Sequence, residues 1–197
     1  PAIVGHSLGG MISLAYAGTY PDRVSRLAVL DGAFLSGSRR TPIHEQMSRW
    51  IDQLDRIGER EPSTFRTIEE AAQRLSARNK RLTPALALHL AGHGVRKGAD
   101  GLYRWKFDHH QRARAPYRLS SDDYAALWSR IACPTLLMWG DESFLPDPEA
   151  AGLLAHFKQA ELQKIAGAGH WLHHDRLDEV LASLRRFLGA PQFAQAQ

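Results

Sequence analysis

One cysteine in 197 residues, Cys133, has no partner within the chain, so no disulfide framework supports the fold. Such sparing use of thiol favours a reducing compartment, and the expected location is cytoplasmic. Cys133 precedes Pro134 and an apolar run, the setting of a buried structural thiol rather than a reactive one. No apolar stretch approaches the roughly 20 residues that span a bilayer, so no membrane span is expected. No leader is visible either, although the chain starts at Pro1, directly on an apolar stretch, which is compatible with a leader removed upstream. Internal repeats are missing, and low complexity is confined to a polar tail after Pro191. Charge of one sign is not concentrated. The 25 Lys and Arg face 21 Asp and Glu, and the basic residues lie scattered among acids instead of forming a stripe with interleaved aromatics. That distribution argues against a nucleic-acid partner.

What is present is the composition of a globular chain, 44% hydrophobic and 23% charged, long enough for one domain with an insertion. Four short apolar runs read as strands. Ala2-Ile3-Val4 ends at Gly5 and leads into a helix of small and apolar residues from Leu8 to Tyr20, which Pro21 closes. Leu27-Ala28-Val29-Leu30 ends in Asp31-Gly32, and Thr135-Leu136-Leu137-Met138-Trp139 ends in Gly140-Asp141. After the third run, Asp147 with Pro148 predicts a helix start. A weaker fourth run, Leu162 to Ile165, leads to Gly167-Ala168-Gly169-His170. Behind it, Val180, Leu181, Leu184, Phe187 and Leu188 share one face of a closing helix that Gly189 ends. Continuous apolar strands alternating with helices predict an α/β fold, a mostly parallel sheet covered on both faces.

About 100 residues between the second and third strands differ in character. Thr67 with Glu70, Thr83-Pro84 and Ser121 each announce a helix, so the insertion is expected to be mostly helical. It holds most of the Arg and Lys and many aromatics, including Trp50, Tyr103, Trp105, Tyr117 and Trp128. A connection this long inside one α/β domain reads as a lid or cap. The expected organisation is core over 1–35, cap over 36–131 and core again over 132–197.

Gly5-His6-Ser7-Leu8-Gly9 matches G-x-S-x-G between a predicted strand and a predicted helix, the context in which that pattern presents a nucleophile. The sharp turn leaves little room for flanking side chains, so glycines are expected there and the Ser7 hydroxyl stands above the sheet. At a helix N-terminus, the Leu8 N–H also points toward an oxyanion formed by attack. A serine needs a base, normally a histidine held by a carboxylate. Of ten histidines, His170 stands out on a glycine-rich turn after the last strand. His170 and His174 would share a face for metal only in a helix; the preceding glycines oppose one, and no third ligand is in register. No metal or cofactor is expected.

Four ordered segments, G-H-S-L-G-G-M, Y-P-D-R-V-S-R-L-A-V-L-D-G, C-P-T-L-L-M-W-G and G-A-G-H-W-L-H-H-D-R-L-D-E-V, resemble the α/β-hydrolase family, in the group with an insertion cap. The resemblance implies Ser7 as nucleophile, His170 as base and Leu8 N–H as one oxyanion donor. It also places the acid at Ser143 or Phe144, and neither is a carboxylate. Asp141, Glu142 and Asp147 lie nearby but out of register. Some relatives use a carboxylate at the end of the strand after the nucleophile helix, where Asp31 stands. Asp31 is the preferred acid, with Asp141 or Glu142 left open.

In the family, several strands and a loop with the second oxyanion donor precede the nucleophile strand; nothing before Pro1 corresponds to them. The expectation is that the first strand forms a sheet edge and that the chain resembles the C-terminal two-thirds of a member. The implied activity is a serine hydrolase with a small-molecule substrate. Carboxylic esters lead, ahead of amides, thioesters and carbon–carbon bonds next to a ketone, and the cap aromatics suggest a hydrophobic acyl group. The alternative is a non-catalytic binding or scaffold protein of the same fold. A carboxylate within about 3.2 Å of the His170 nitrogen facing away from Ser7 separates the two.

Overall fold

Each of the four runs forms a strand, and the two central ones, rich in aliphatic residues, are buried on both faces. In chain order the elements are β1 (Ala2–His6), α1 (Leu8–Thr19), β2 (Arg26–Leu30), α2 (Ile43–Gly58), β3 (Thr64–Phe65), α3 (Ile68–Arg78), α4 (Pro84–Gly94), β4 (Val95–Lys97), β5 (Tyr103–Trp105), α5 (Ser121–Trp128), β6 (Thr135–Gly140), β7 (Ala160–Ile165), α6 (Leu172–Asp175) and α7 (Leu177–Leu188). The computed structural model describes residues 1–35, 41–59, 62–113, 115–116 and 119–189. Tyr117 and the tail after Pro191 lie outside the described residues.

The main sheet has the order β1-β2-β6-β7, and all three pairings are parallel. Side chains alternate between two cores, as a period of two requires. Leu27 and Val29 of β2 and Leu137 of β6 join Met11, Leu14, Trp128 and Ile131 on one face. Ala28, Leu30, Leu136 and Met138 join Ile165, Leu172 and Val180 on the other. Cys133 is buried in the first core, where burial pushes its thiol up, as expected of a packing residue. At the edge of the sheet, β1 pairs with β2 alone among the described residues, and Val4 is 46% exposed.

The chain divides into two compact units, Pro1–Ser38 with Leu119–Gln197, and Arg39–Arg118. The second unit therefore ends earlier than the expected cap of 36–131, and α5 belongs to the core. Trp128, read from sequence as a cap aromatic, is fully buried in the first core. Its helix lies so close to α1 that a Cβ at Gly18 would run into the Leu127 carbonyl, and Arg130 Nε donates to Gly18 O at 3.0 Å. α5 starts one residue before expectation, on Ser120, whose hydroxyl accepts from Asp123 N–H while the Asp123 carboxylate accepts from Ser120 N–H.

The second unit carries more than helices. β3, β5 and β4 form an antiparallel sheet in that order. Strands of two and three residues are too short to leave a period-two signature in sequence. Phe65 and Trp105 meet edge to face, 5.3 Å between centroids, over Ala71, Ala87 and Val95. These aromatics are thus core residues of their unit. A cavity of about 600 Å³ in the same unit, between α3 and α4, is lined by Ala72, Leu82 and Leu88 among others.

The helix expected at Asp147-Pro148 is instead a turn followed by one 3₁₀ turn, Leu153–His156. Asp147 Oδ1 accepts from Glu149 N–H at 2.9 Å, which is cap chemistry. Gly152, at φ 69°, then takes the chain into the left-handed region and stops an α-helix from propagating. The closing helix α7 ends at Gly189 as read.

Gly18→Ala tests whether α5 is part of the core. Overpacking against backbone that has no side chain to yield is expected to lower unfolding free energy by about 1–3 kcal/mol in chemical denaturation. A change near zero would mean that α5 gives way easily and is not integral to the unit.

Candidate active site

Parallel register decides where the chemistry gathers. His6 pairs with Leu30 and Leu30 with Met138, so the residues that follow, Ser7 and Asp31, leave adjacent strands at the same end of the sheet. Ser7 N–H continues the ladder to Leu30 O at 3.0 Å, and Asp31 N–H reaches Met138 O at 2.7 Å. Both residues adopt left-handed φ, 53° at Ser7 and 46° at Asp31, the only non-glycine residues to do so among those described. Such a backbone costs of order 1–3 kcal/mol and persists only where its surroundings enforce it.

At Ser7 the enforcement is visible. The strand turns into α1 so sharply that a Cβ on Gly5 would lie 2.6 Å from Gly9 O and 2.7 Å from Ser13 Oγ. The steric expectation holds at Gly5 but not at Gly9, where a Cβ would meet nothing within 4 Å. Leu8 opens α1, so its N–H belongs to the first turn, whose donors have no intrahelical acceptor. Leu8 is 67% exposed beside Ser7.

His170 stands on the loop between β7 and α6, and several backbone groups of that loop are engaged from outside it. Asp141 Oδ1 accepts from Gly167 N–H at 2.7 Å, and Asp175 Oδ2 accepts from Gly169 N–H at 2.8 Å. Arg176 Nε donates to Ala166 O at 3.1 Å, and Glu142 N–H to Ala168 O at 2.9 Å. His6 Nε2–H donates to His170 O at 2.8 Å, which settles the tautomer of a neutral His6, since a carbonyl only accepts. None of these clamps was singled out from sequence as a support for the loop. Asp141 was weighed as the acid, and its carboxylate is committed to the Gly167 amide instead.

The loop brings three predicted side chains together. His170 Nδ1 lies 2.5 Å from Asp31 Oδ2, and His170 Nε2 lies 2.8 Å from Ser7 Oγ. Asp31 is 2% exposed and His170 8%. An ionised Asp31 can only accept, so Nδ1 carries the proton and the Nε2 lone pair faces the Ser7 hydroxyl. Ser143, missed as a functional residue, donates its hydroxyl to Asp31 Oδ2 at 2.6 Å. Phe144 lies with its ring 4.5 Å from that of His170 and is 73% exposed, so an apolar side chain flanks that imidazole toward solvent.

Around His170 sits a group of imidazoles. His6 lies 4.9 Å from His170 and 4.6 Å from His173, and His173 lies 4.2 Å from His174, centroid to centroid. Burial disfavours the charged form of all three neighbours. For His173, burial followed by repulsion from His174 and His6 pushes its pKa down to about 4, against a partial pull upward from Asp175. His6 is lowered by burial and by His170, opposed by its bond to the His170 carbonyl and by Asp31. The Nδ1 atoms of His173 and His174 are buried without a partner among the described residues. Among those same residues, no three His, Cys, Asp or Glu side chains converge as metal ligands would.

A histidine whose folded pKa lies below its unfolded value contributes stability when both states are neutral, and loses it as pH falls. For His173 the window runs from its ordinary 6.5 down to about 4. Thermal midpoints are expected to fall across that window, and less steeply in His173→Asn. Parallel wild-type and variant curves between these pH values would show that His173 does not titrate as described.

The alpha/beta hydrolase fold family model matches residues 1–177. Over 194 residues the chain is 27% identical to the esterase YbfF of Escherichia coli, covering 94% of this chain and 66% of that protein. It is 26% identical over 191 residues to a cis-3-alkyl-4-alkyloxetan-2-one decarboxylase of Shewanella oneidensis, covering 94% of this chain and 59% of the relative. This chain thus spans about three-fifths to two-thirds of the length of these relatives. A crystal structure of a hypothetical protein from Pseudomonas aeruginosa PAO1 superimposes with a TM-score of 0.80 at 23% identity, over 96% of this chain and 66% of the other. Sheet order, core and a match covering nine-tenths of the sequence agree, and the chain belongs to the alpha/beta-hydrolase-fold family.

Proposed function

We propose that this chain carries the nucleophile, base and acid of a serine hydrolase that cleaves a carboxylic ester through an acyl-enzyme. The observation that carries the reading is the continuous line from Ser7 Oγ through His170 to Asp31 Oδ2, with contacts of 2.8 and 2.5 Å. A carboxylate within hydrogen-bond reach of the far side of His170 favours catalysis over the non-catalytic alternative. The esterase named among the relatives favours an ester over other acyl bonds.

In this mechanism His170 Nε2 takes the Ser7 proton as Oγ attacks the substrate carbonyl. Asp31 holds the Nδ1–H tautomer and stabilises the imidazolium without itself taking the proton. Charge on the carbonyl oxygen is met by the Leu8 N–H, aided by the positive end of α1. His170 then returns the proton to the leaving alcohol, and a water activated by the same imidazole releases the acid and restores Ser7. The exposed side chains of Leu8, next to Ser7 in the chain, and of Phe144, against the His170 ring, offer apolar contact, which suits a hydrophobic acyl or alcohol group. That support replaces the cap aromatics Trp105 and Trp128, which are packed into cores.

A fluorophosphonate probe that labels activated serines tests the reading. Labelling of the purified protein is expected to vanish in Ser7→Ala, to fall severely in His170→Ala and to slow by about 10,000-fold in Asp31→Asn. Persistent labelling of Ser7→Ala would remove the nucleophile assignment. Unchanged labelling of Asp31→Asn would move the acid to the Asp141–Glu142 loop.

A further inference from the structure

We infer that Ser143 is a positioning residue for the acid, a neutral donor that holds the Asp31 carboxylate on His170; the inference rests on the proposed role of Asp31. The Asp31 side chain is fully buried, and both of its hydrogen bonds fall on one oxygen. Oδ2 accepts from His170 Nδ1 and from Ser143 Oγ, while Oδ1 is buried with no partner among the described residues. A buried carboxylate without adequate donors is costly, and here a single hydroxyl supplies every side-chain donor besides the base itself.

Geometry directs that hydroxyl. Leu145 N–H donates to Ser143 Oγ at 3.1 Å, which occupies an oxygen lone pair, and an ionised Asp31 has no proton to give. The one hydroxyl proton therefore points along the 2.6 Å contact to Oδ2. The turn that carries Ser143 is itself fixed. Ser143 N–H reaches Gly140 O at 2.9 Å, and Trp139 Nε1–H reaches Leu145 O at 3.1 Å. Its neighbour Glu142 donates its N–H to Ala168 O, on the loop that bears His170. One turn thus contacts the acid by a side chain and the base's loop by its backbone, so the two cannot drift apart independently.

Position matters to the base through direction. A carboxylate free to rotate about its Cβ–Cγ bond presents Oδ1 or Oδ2 to Nδ1 at varying angles. Ser143 fixes which oxygen faces the imidazole, and thereby the ring's aim at Ser7. This is a demand of the chemical step and not of substrate binding, so loss of the hydroxyl lowers kcat and spares KM.

The test measures p-nitrophenyl butyrate hydrolysis by the purified protein in a double-mutant cycle. Ser143→Ala is expected to lower kcat by roughly tenfold, the loss of one hydrogen bond to a charged group, with KM changed by less than about twofold. Ser143→Thr, which keeps a hydroxyl, restores most of the loss. In an Asp31→Asn background, Ser143→Ala is expected to change kcat by no more than about twofold, because its partner's charge is gone. If the loss carries over undiminished into that background, Ser143 acts only through its turn and the inference is overturned. An unchanged kcat in Ser143→Ala overturns it as well. An Asp31→Asn protein of wild-type rate, folded by circular dichroism, is a different failure: it removes Asp31 as the acid, and Ser143 with it.

Discussion

Parallel pairing of β1 with β2 and of β2 with β6 is the constraint from which the site follows. Strands that run the same way in register must end at the same edge of the sheet, and neighbouring strands stand about 4.8 Å apart. The residues after His6 and Leu30 therefore emerge side by side. A side chain on each then needs only a third group bridging them from above, and the loop after β7 supplies it. Antiparallel pairing would have sent Ser7 and Asp31 to opposite ends, and no loop of this length would join them.

Bringing that third group into place takes more than topology. The loop from Ala166 to His170 includes two glycines and lies beyond the last strand, so by itself it would move. Its amides and carbonyls are instead taken up by Asp141, Glu142, Asp175, Arg176 and His6, which come from three separate stretches of chain. Flexibility in the sequence is curbed in the fold because five backbone groups of the turn find partners outside it. Under the proposed mechanism the loop is held where the base would aim, and the exposed side chains of Leu8 and Phe144 are the apolar surface offered to substrate.

Much of this was legible from residues alone, for reasons that differ between positions. Ser7 announces itself because a strand, a glycine-flanked serine and a helix within a dozen residues leave few other readings. His170 was legible from its glycine-rich turn after the last strand. Asp31 was harder: one aspartate at a strand end looks like any other, and only the missing carboxylate at Ser143 and Phe144 drew attention to it. Ser143 itself was invisible as a donor, since a hydroxyl's role depends on which atom it faces across 112 residues of chain. The three-stranded sheet of the second unit escaped because its strands are too short to alternate. The end of the insertion was misplaced because the helical pattern of α5 says nothing of whether Trp128 packs within the insertion or on α1.

The two left-handed residues have a consequence for how this protein can change. Ser7 and Asp31 each hold a backbone conformation that glycine adopts without penalty. Replacing either by glycine relaxes the main chain, and at position 31 it also removes a buried charge with an unpartnered oxygen. At position 31 that relief is set against the loss of the acceptor that His170 Nδ1 and Ser143 Oγ share. At Ser7 selection for backbone ease alone would favour glycine, and the proposed chemistry is what would oppose it.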